Sequence, residues 1–146
     1  MRILLIFTSL VFILAGCQTA TTKKTDSGVP DTASAIKEVS PAEAQTAVSK
    51  AYSQFVDVRT MEEYASGHAS RALNIPLDTL SANLDKLEKN EPVYLICETG
   101  NRSKKAAVIL KEAGYPNVIN VTGGTKAWSA ANLPMETKPP HGPLVN

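Results

Sequence analysis

A short apolar run that ends abruptly at a cysteine constrains the fold of this chain more than any other sequence feature. The run Val93–Cys97 is typical of a strand in the middle of a parallel sheet, where both faces are buried. A helical pattern over Ser103–Ala113 follows it, and Gly114 lies just past the expected helix end. Because parallel strands need crossover connections, this strand–helix junction predicts an α/β domain.

The same alternation of strand and helix patterns extends over about 100 residues. Ser40, Pro41 and Glu43 have the pattern of a capping box with proline at the first helical position, and this helix should run to about Ala51. The remaining predicted elements are strands at Ile36–Val39, Gln54–Val58, Ala72–Ile75 and Val118–Val121, a helix capped by Thr60 and Glu63 and ended by Gly67, helical spacing at Leu77, Leu80, Leu84 and Leu87, and a helix at Gly124–Ala131. We expect a mostly parallel central sheet flanked by helices, with ligands bound beyond the carboxyl ends of its strands.

Residues 1–16 have the pattern of a secretory signal: Arg2, then an uncharged apolar run. The run has 14 residues, from Ile3 to Gly16, and a membrane-spanning helix needs about 20. A permanent transmembrane anchor is therefore the weaker interpretation. The segment Leu14-Ala15-Gly16-Cys17 resembles the lipobox of bacterial lipoproteins, which implies cleavage before Cys17 and lipid attachment to it.

This organisation predicts four segments and a location. Residues 1–16 are the signal peptide, 17–34 the lipidated Cys17 and a flexible polar tether, 35–133 the folded domain, and 134–146 a loosely ordered tail with four prolines. The domain is expected outside the cytoplasm, lipid-anchored in the cell envelope. Since Gln18 follows Cys17 in place of the Asp that retains such proteins in the inner membrane, an organism with two membranes should carry it on the outer membrane, facing the periplasm.

Charge argues against nucleic acid as a partner. Removal of residues 1–16 lowers Lys+Arg from 15 to 14 against 14 Asp+Glu, so the mature chain has about zero net charge. A nucleic-acid-binding domain needs a basic face. Lys104 and Lys105 form only a local basic patch, typical of a solvated helix face.

The thiol of Cys97 is the candidate reactive group. With Cys17 expected to carry lipid, Cys97 would have no partner for an intrachain disulfide, although the domain is expected outside the cytoplasm. Residues 98–101 must turn tightly, Gly100 permits a positive φ, and Arg102 adds a positive charge near a helix start. Loop amides, helix start and guanidinium all favour thiolate, whereas the alternative is a buried structural cysteine.

Three motifs of the chain resemble those of a single-domain rhodanese, a sulfurtransferase. They are "DVRTMEEYASGHASRALNIP" from Asp57 to Pro76, "CETGNRS" from Cys97 to Ser103, and "GGTKAW" from Gly123 to Trp128. The resemblance covers about residues 36–133. It implies that Cys97 takes sulfur from a donor such as thiosulfate, becomes a persulfide, and passes the sulfur to cyanide, a small thiol or a protein thiol, with no metal or organic cofactor.

The resemblance also implies roles for the residues around the cysteine. Arg102 and the loop residues Glu98, Thr99, Gly100, Asn101 and Ser103 would bind the donor and stabilise the persulfide. Asp57 and Arg59 would support the site structurally, and Arg59 is expected to pair with Glu62 or Glu63. We interpret His68 as a structural histidine rather than a general base. Trp128 is expected in the core or beside the loop.

The sequence departs from the rhodanese pattern at one position that bears on the donor. Many relatives have Arg directly after the cysteine, whereas this chain has Glu98. A carboxylate there opposes anion binding and acts to raise the pKa of Cys97, which favours a less anionic or protein-borne donor.

Two other functions remain as alternatives. One is a non-enzymatic module that carries sulfur or docks a partner. The other is a phosphatase or arsenate reductase on the same fold. The related phosphatases have five residues between Cys and Arg, whereas this chain has four, which suits a sulfur-sized target.

Overall fold

A computed structural model describes residues 36–50 and 53–137. The strands and helices within these residues are β1 (Lys37–Val39), α1 (Pro41–Val48), β2 (Gln54–Asp57), α2 (Met61–Ser66), β3 (His68–Ala69), β4 (Leu73–Asn74), β5 (Val93–Ile96), α3 (Asn101–Glu112), β6 (Val118–Val121), α4 (Gly124–Ala130) and β7 (Met135–Glu136). The predicted signal peptide, the predicted lipidation site Cys17 and the predicted tether lie outside the described residues. Where the structure describes the chain, no helix combines the length and apolarity needed to cross a membrane.

Five parallel strands form the central sheet in the order β1-β6-β5-β2-β4. The apolar strand β5 lies in the middle of this sheet, paired with β2 on one side and β6 on the other. This position explains its composition, because a central parallel strand is covered on both faces. The prediction of an α/β fold with a mostly parallel sheet flanked by helices is confirmed.

Side chains from alternate sheet positions build two cores. Leu95 of β5 belongs to a cluster that includes Ala106 and Leu110 of α3. The next residue, Ile96, belongs to a second cluster with Ala44 of α1 and with Trp128, Phe55 and Val48. Successive strand residues point to opposite faces, so α3 covers one face while α1 and α4 cover the other.

Local helix signals acted as the sequence predicts. The capping boxes Ser40–Glu43 and Thr60–Glu63 are both formed, and Gly67 caps the C-terminus of α2. The segment with the spacing of Leu77, Leu80, Leu84 and Leu87 differs from the predicted helix, because it forms two short 3-10 turns, Leu80–Ala82 and Leu84–Lys86. Leu80 and Leu87 are still buried in the core. The leucine spacing therefore marks residues that face the core, although no continuous α-helix forms.

A small second sheet joins the chain beyond α4 to the loop after α2. His68 and Ala69 in β3 pair antiparallel with Glu136 and Met135 in β7. The expectation of a loosely ordered tail from Pro134 is wrong for these residues. Neither strand shows a run long enough to predict a strand from sequence, and only their tertiary pairing creates the sheet.

Candidate functional site

Cys97 directly follows β5 and lies at the carboxyl edge of the central sheet. Its side chain is buried, with about 1% of the residue exposed. The end of β2 lies beside it, since Asp57 pairs in register with Ile96. The firm pairing of β5 on both sides holds the cysteine backbone, and the following residues 98–100 turn into α3.

The Cys97 sulfur accepts hydrogen bonds from the loop that follows it. The amide of Gly100 donates to Sγ at 3.1 Å, and the Ser103 hydroxyl lies 3.4 Å from Sγ. Burial acts to raise the pKa of the thiol, but the Ser103 hydroxyl and the amides of Ser103, Thr99 and Gly100 act against it and leave the pKa below its ordinary value. Gly100 has φ 98°, the positive value that the turn was expected to need. The loop is thus built to hold a thiolate.

The N-terminus of α4 clamps the cysteine loop from the other side. The amide of Thr125 donates to the Cys97 carbonyl at 2.7 Å, and the amide of Lys126 donates to the Glu98 carbonyl at 3.1 Å. A Cβ on Gly124 would lie 2.1 Å from the Cys97 oxygen. This close approach is the physical reason for glycine in the closing motif "GGTKAW".

Arg102 forms an ion pair that the sequence did not predict. Its Nη1 and Nη2 donate to the two carboxylate oxygens of Glu63 at 2.7 and 2.6 Å. The guanidinium lowers the pKa of Glu63 to about 2, and the carboxylate raises the pKa of Arg102. The positive charge of Arg102, which the resemblance assigns to binding the donor, is therefore already matched by a carboxylate of α2.

Glu98 is likewise paired. Its carboxylate lies 3.0 Å from Nζ of Lys126, and both side chains are exposed to solvent. The pairing with Lys126 weakens the repulsion that Glu98 was expected to exert on the Cys97 thiolate. The Cys97 pKa is accordingly set by burial of the thiol, which raises it, and by the hydrogen bonds to its sulfur, which lower it.

Asp57 and Arg59 form a buried pair beneath the site. Arg59 donates to both Asp57 carboxylate oxygens, with Nη2 at 2.7 Å, and also to the Gly67 carbonyl. The expectation that Arg59 pairs with Glu62 or Glu63 is wrong, because Asp57 is two residues away and equally buried. Asp57 also accepts from the Arg59 amide, so the pair fixes the turn between β2 and α2.

His68 and Trp128 are both buried and hydrogen-bonded to the backbone. His68 is buried, stacks on the Tyr64 ring at a centroid distance of 3.6 Å, and has Nδ1 2.9 Å from the Tyr64 carbonyl. Trp128 is fully buried, packs on Phe55, and donates through Nε1 to the Pro134 carbonyl. The expectation of Trp128 in the core is confirmed. The surroundings of His68 are those of a structural histidine, and its role stays a prediction.

The side chains of Thr99 and Asn101 point outward, whereas Ser103 is buried against the sulfur. Sequence reasoning missed the residue that Ser103 contacts most closely, Asn120 of β6, whose Oδ1 lies 2.6 Å from the Ser103 hydroxyl oxygen. One signal was present: Asn120 interrupts an otherwise apolar strand, Val118–Val121. A buried polar residue in such a strand indicates a specific partner.

Beside the loop lies an open cavity of about 440 Å³. Its wall carries charges of both signs, from Arg59, Glu63, Glu98 and Lys126, together with the side chain of Met135. Over residues 36–50 and 53–137, no three His, Cys, Asp or Glu side chains cluster in a way that could hold a metal ion.

Fold and site together define an α/β domain with a buried cysteine at the carboxyl edge of its sheet, whose sulfur accepts a hydrogen bond from the amide of the following loop. The family model described as Rhodanese-like domain matches residues 40–131, and the chain belongs to that family.

Curated relatives include proteins of sulfur metabolism. The chain is 36% identical over 100 residues to the "Putative sulfur carrier protein YrkF" of Bacillus subtilis, covering 68% of this chain and 54% of that protein. It is 32% identical over 100 residues to the "Thiosulfate sulfurtransferase GlpE" of Actinobacillus pleuropneumoniae, covering 68% of this chain and 93% of that protein. The chain thus spans about half of YrkF and nearly all of GlpE, and its family includes sulfurtransferases.

Solved structures agree with this assignment. A rhodanese-like domain protein from Staphylococcus aureus superposes with a TM-score of 0.60 at 38% identity, covering 64% of this chain and 91% of that one.

Proposed function

We propose that this protein transfers sulfane sulfur through a persulfide on Cys97. The observation that carries the proposal is the hydrogen bonding of the Cys97 sulfur, which accepts from the Gly100 amide at 3.1 Å beside the Ser103 hydroxyl. These hydrogen bonds favour the thiolate, which is the form of Cys97 that must attack the sulfur donor. They also lower the pKa of the thiol. A structural cysteine needs no such set of donors.

The transfer proceeds in two balanced displacements. The Cys97 thiolate attacks the outer sulfur of the donor, a new S–S bond forms, and the donor's S–S bond breaks with its electron pair on the leaving group, sulfite or a thiolate. An acceptor, cyanide or a thiolate, then attacks the outer sulfur of the persulfide. That second S–S bond breaks with its electron pair on Cys97, which regenerates the thiolate without any external oxidant or reductant.

Charge at the mouth of the site favours a donor of low charge, such as the persulfide of a small thiol or of a protein thiol. Arg102 is matched by Glu63, and Glu98 is matched by Lys126, so the four groups together leave no net positive charge to attract a dianion. Thiosulfate would have to displace or share the Glu63 carboxylate to reach the guanidinium. We therefore propose that thiosulfate is a poorer donor than an organic persulfide.

The proposal includes anchoring of the domain in the cell envelope by lipid on Cys17. Its support is the sequence Leu14-Ala15-Gly16-Cys17 at the end of an apolar run. The 17 residues from Gln18 to Ser34 would then allow the domain to reach about 20–25 Å from the membrane as a coil. Labelled palmitate should be incorporated into the wild type and not into Cys17→Ser, and equal labelling of both would contradict the anchor.

Intact mass spectrometry tests the chemistry directly. The full chain carrying Cys17→Ser, so that Cys97 is its one thiol, is incubated in detergent with an organic persulfide or thiosulfate and then with cyanide. We expect a gain of one sulfur, about 32 Da, that cyanide reverses, with a faster gain from the persulfide. The matched control is Cys17→Ser/Cys97→Ser, which should gain nothing.

Two results would overturn the proposal. One is the absence of any sulfur gain with either donor, which would favour a docking module. The other is steady hydrolysis of an aryl phosphate that disappears in Cys97→Ser, which would favour a phosphatase.

A further inference from the structure

Ser103 has a single hydroxyl proton and three acceptors within reach. Asn120 Oδ1 lies 2.6 Å from the Ser103 oxygen, the Gly100 carbonyl 3.1 Å, and Cys97 Sγ 3.4 Å. Ser103 and Asn120 are both fully buried, so water does not supply a further proton donor. A proton given to Asn120 is a proton withheld from the sulfur.

The amide nitrogen of Asn120 is the unsatisfied group beside this serine. With Oδ1 facing Ser103, Nδ2 has no hydrogen-bond partner although it is buried. It lies under the cysteine loop, 3.8 Å from where a Cβ on Gly100 would be. A buried amide nitrogen without an acceptor is costly, and rotation of the side-chain amide by half a turn exchanges its nitrogen and oxygen in nearly the same space.

That rotation changes the direction of the hydrogen bonds. Nδ2 then donates to the Ser103 oxygen, and the Ser103 proton is released toward Cys97 Sγ. We propose that Asn120 is a positioning residue that donates to Ser103 and thereby aims the Ser103 hydroxyl at the cysteine sulfur. This inference rests on the proposed sulfur transfer, because its benefit arises when negative charge is on Sγ.

The hydrogen bond from Ser103 stabilises negative charge on Cys97 Sγ at two steps of the reaction. In the free protein the Ser103 proton stabilises the attacking thiolate. In the second displacement, the S–S bond of the persulfide breaks and its electron pair returns to Cys97, so the same hydrogen bond stabilises the leaving thiolate. Asn120 touches neither donor nor acceptor and acts through Ser103 alone.

The pH dependence of Cys97 alkylation tests the direction of the Asn120–Ser103 bond. Iodoacetamide reacts with the thiolate, and the rate is followed on the peptide that contains Cys97 from the full chain, so that Cys17 does not contribute. Asn120→Leu has nearly the same shape and neither donates nor accepts. We expect this variant to raise the pKa of Cys97 and to slow alkylation roughly three- to tenfold at pH values below that pKa.

Whether Asn120→Leu slows or speeds alkylation shows whether Asn120 donates to Ser103 or accepts from it. If Asn120 accepts from Ser103, its removal releases the proton to the sulfur and speeds alkylation; faster or unchanged alkylation in Asn120→Leu therefore overturns the inference. The slowing must also vanish in the Ser103→Ala background, and a change that persists there overturns it as well. Asn117→Leu, an exposed position just before the same strand, is the matched control and should react as the wild type does.

Two features keep the test decisive. If Asn120→Leu shows no cooperative unfolding by circular dichroism, Asn120→Val replaces it with the same expected signs, because β-branched residues suit a central strand. Alkylation needs no sulfur donor, so failure of sulfur transfer and failure of the Asn120 inference produce different results.

Discussion

Arg102 and Glu63 form a bidentate ion pair between α3 and α2, with nitrogen–oxygen distances of 2.7 and 2.6 Å. The two residues are 39 positions apart in the chain and each side chain is about one-third exposed. Glu63 therefore lies where it can compete with a donor anion for the guanidinium. Glu63 also closes the capping box with Thr60, so one side chain links the start of α2 to the first turn of α3, which follows the cysteine loop.

Glu63→Gln should lower the KM for thiosulfate by about two- to fivefold, because it leaves the charge of Arg102 unmatched at a partly exposed site. Glutamine still suits the capping box, so α2 should remain intact. Steady-state kinetics with thiosulfate and cyanide measure the effect. Glu62→Gln, on the same helix turn but more exposed, is the matched control. An unchanged or higher KM in Glu63→Gln would show that the carboxylate does not compete with the donor.

Arg102→Ala should reduce kcat/KM with thiosulfate by about tenfold or more without unfolding the domain, since it removes a guanidinium fork and leaves Glu63 unpaired beside the donor. Thermal melts should show little change, because the side chain is partly exposed and the pair it loses is a surface one. The double variant Arg102→Ala/Glu63→Gln should recover part of the lost activity. Unchanged kinetics in Arg102→Ala would remove this residue from the mechanism.

The Arg102–Glu63 pair should also contribute to stability in a defined pH window. The guanidinium lowers the pKa of Glu63 from 4.5 to about 2 in the folded state. Because the folded pKa is the lower one, the contribution is fully present above about pH 5 and is lost as the pH falls toward 2. Wild type and Glu63→Gln should differ in free energy of unfolding by at most about 1 kcal/mol at pH 7.

Urea unfolding at pH 7 and near pH 3 measures this difference. By the same linkage, less than half of the difference should remain near pH 3. A gap between the two proteins that stays constant over this range would contradict the role assigned to the Glu63 carboxylate.

Gly124→Ala should destabilise the domain by about 3 kcal/mol or more, because its Cβ would meet the Cys97 carbonyl at 2.1 Å and force the loop and α4 apart. Gly114→Ala is the matched control: Gly114 also has a positive φ, but the nearest atom to its Cβ is the end of the Lys89 side chain at 3.9 Å. It should cost only the backbone strain, about 1–2 kcal/mol. Equal free energies of unfolding for the two variants would show that the contact with Cys97 is unimportant.

Local signals determined much of this protein from sequence alone. Three features depend only on interactions within a few residues: the capping boxes at Ser40 and Thr60, the apolar run before Cys97 and the positive φ of Gly100. They can therefore be predicted without knowledge of the fold. The parallel sheet followed from the alternation of these elements, and it placed Cys97 at the sheet edge.

Only the tertiary structure decided which side chains meet across the chain. Arg102 binds Glu63, Ser103 meets Asn120, and the backbone of Gly124 presses on Cys97. For each of these residues the sequence offers several possible partners of similar chemistry. Their spacing in the sequence does not show which partner will be in contact. The choice depends on strand register and helix packing, which set distances to a few tenths of an ångström between residues that the chain itself keeps apart.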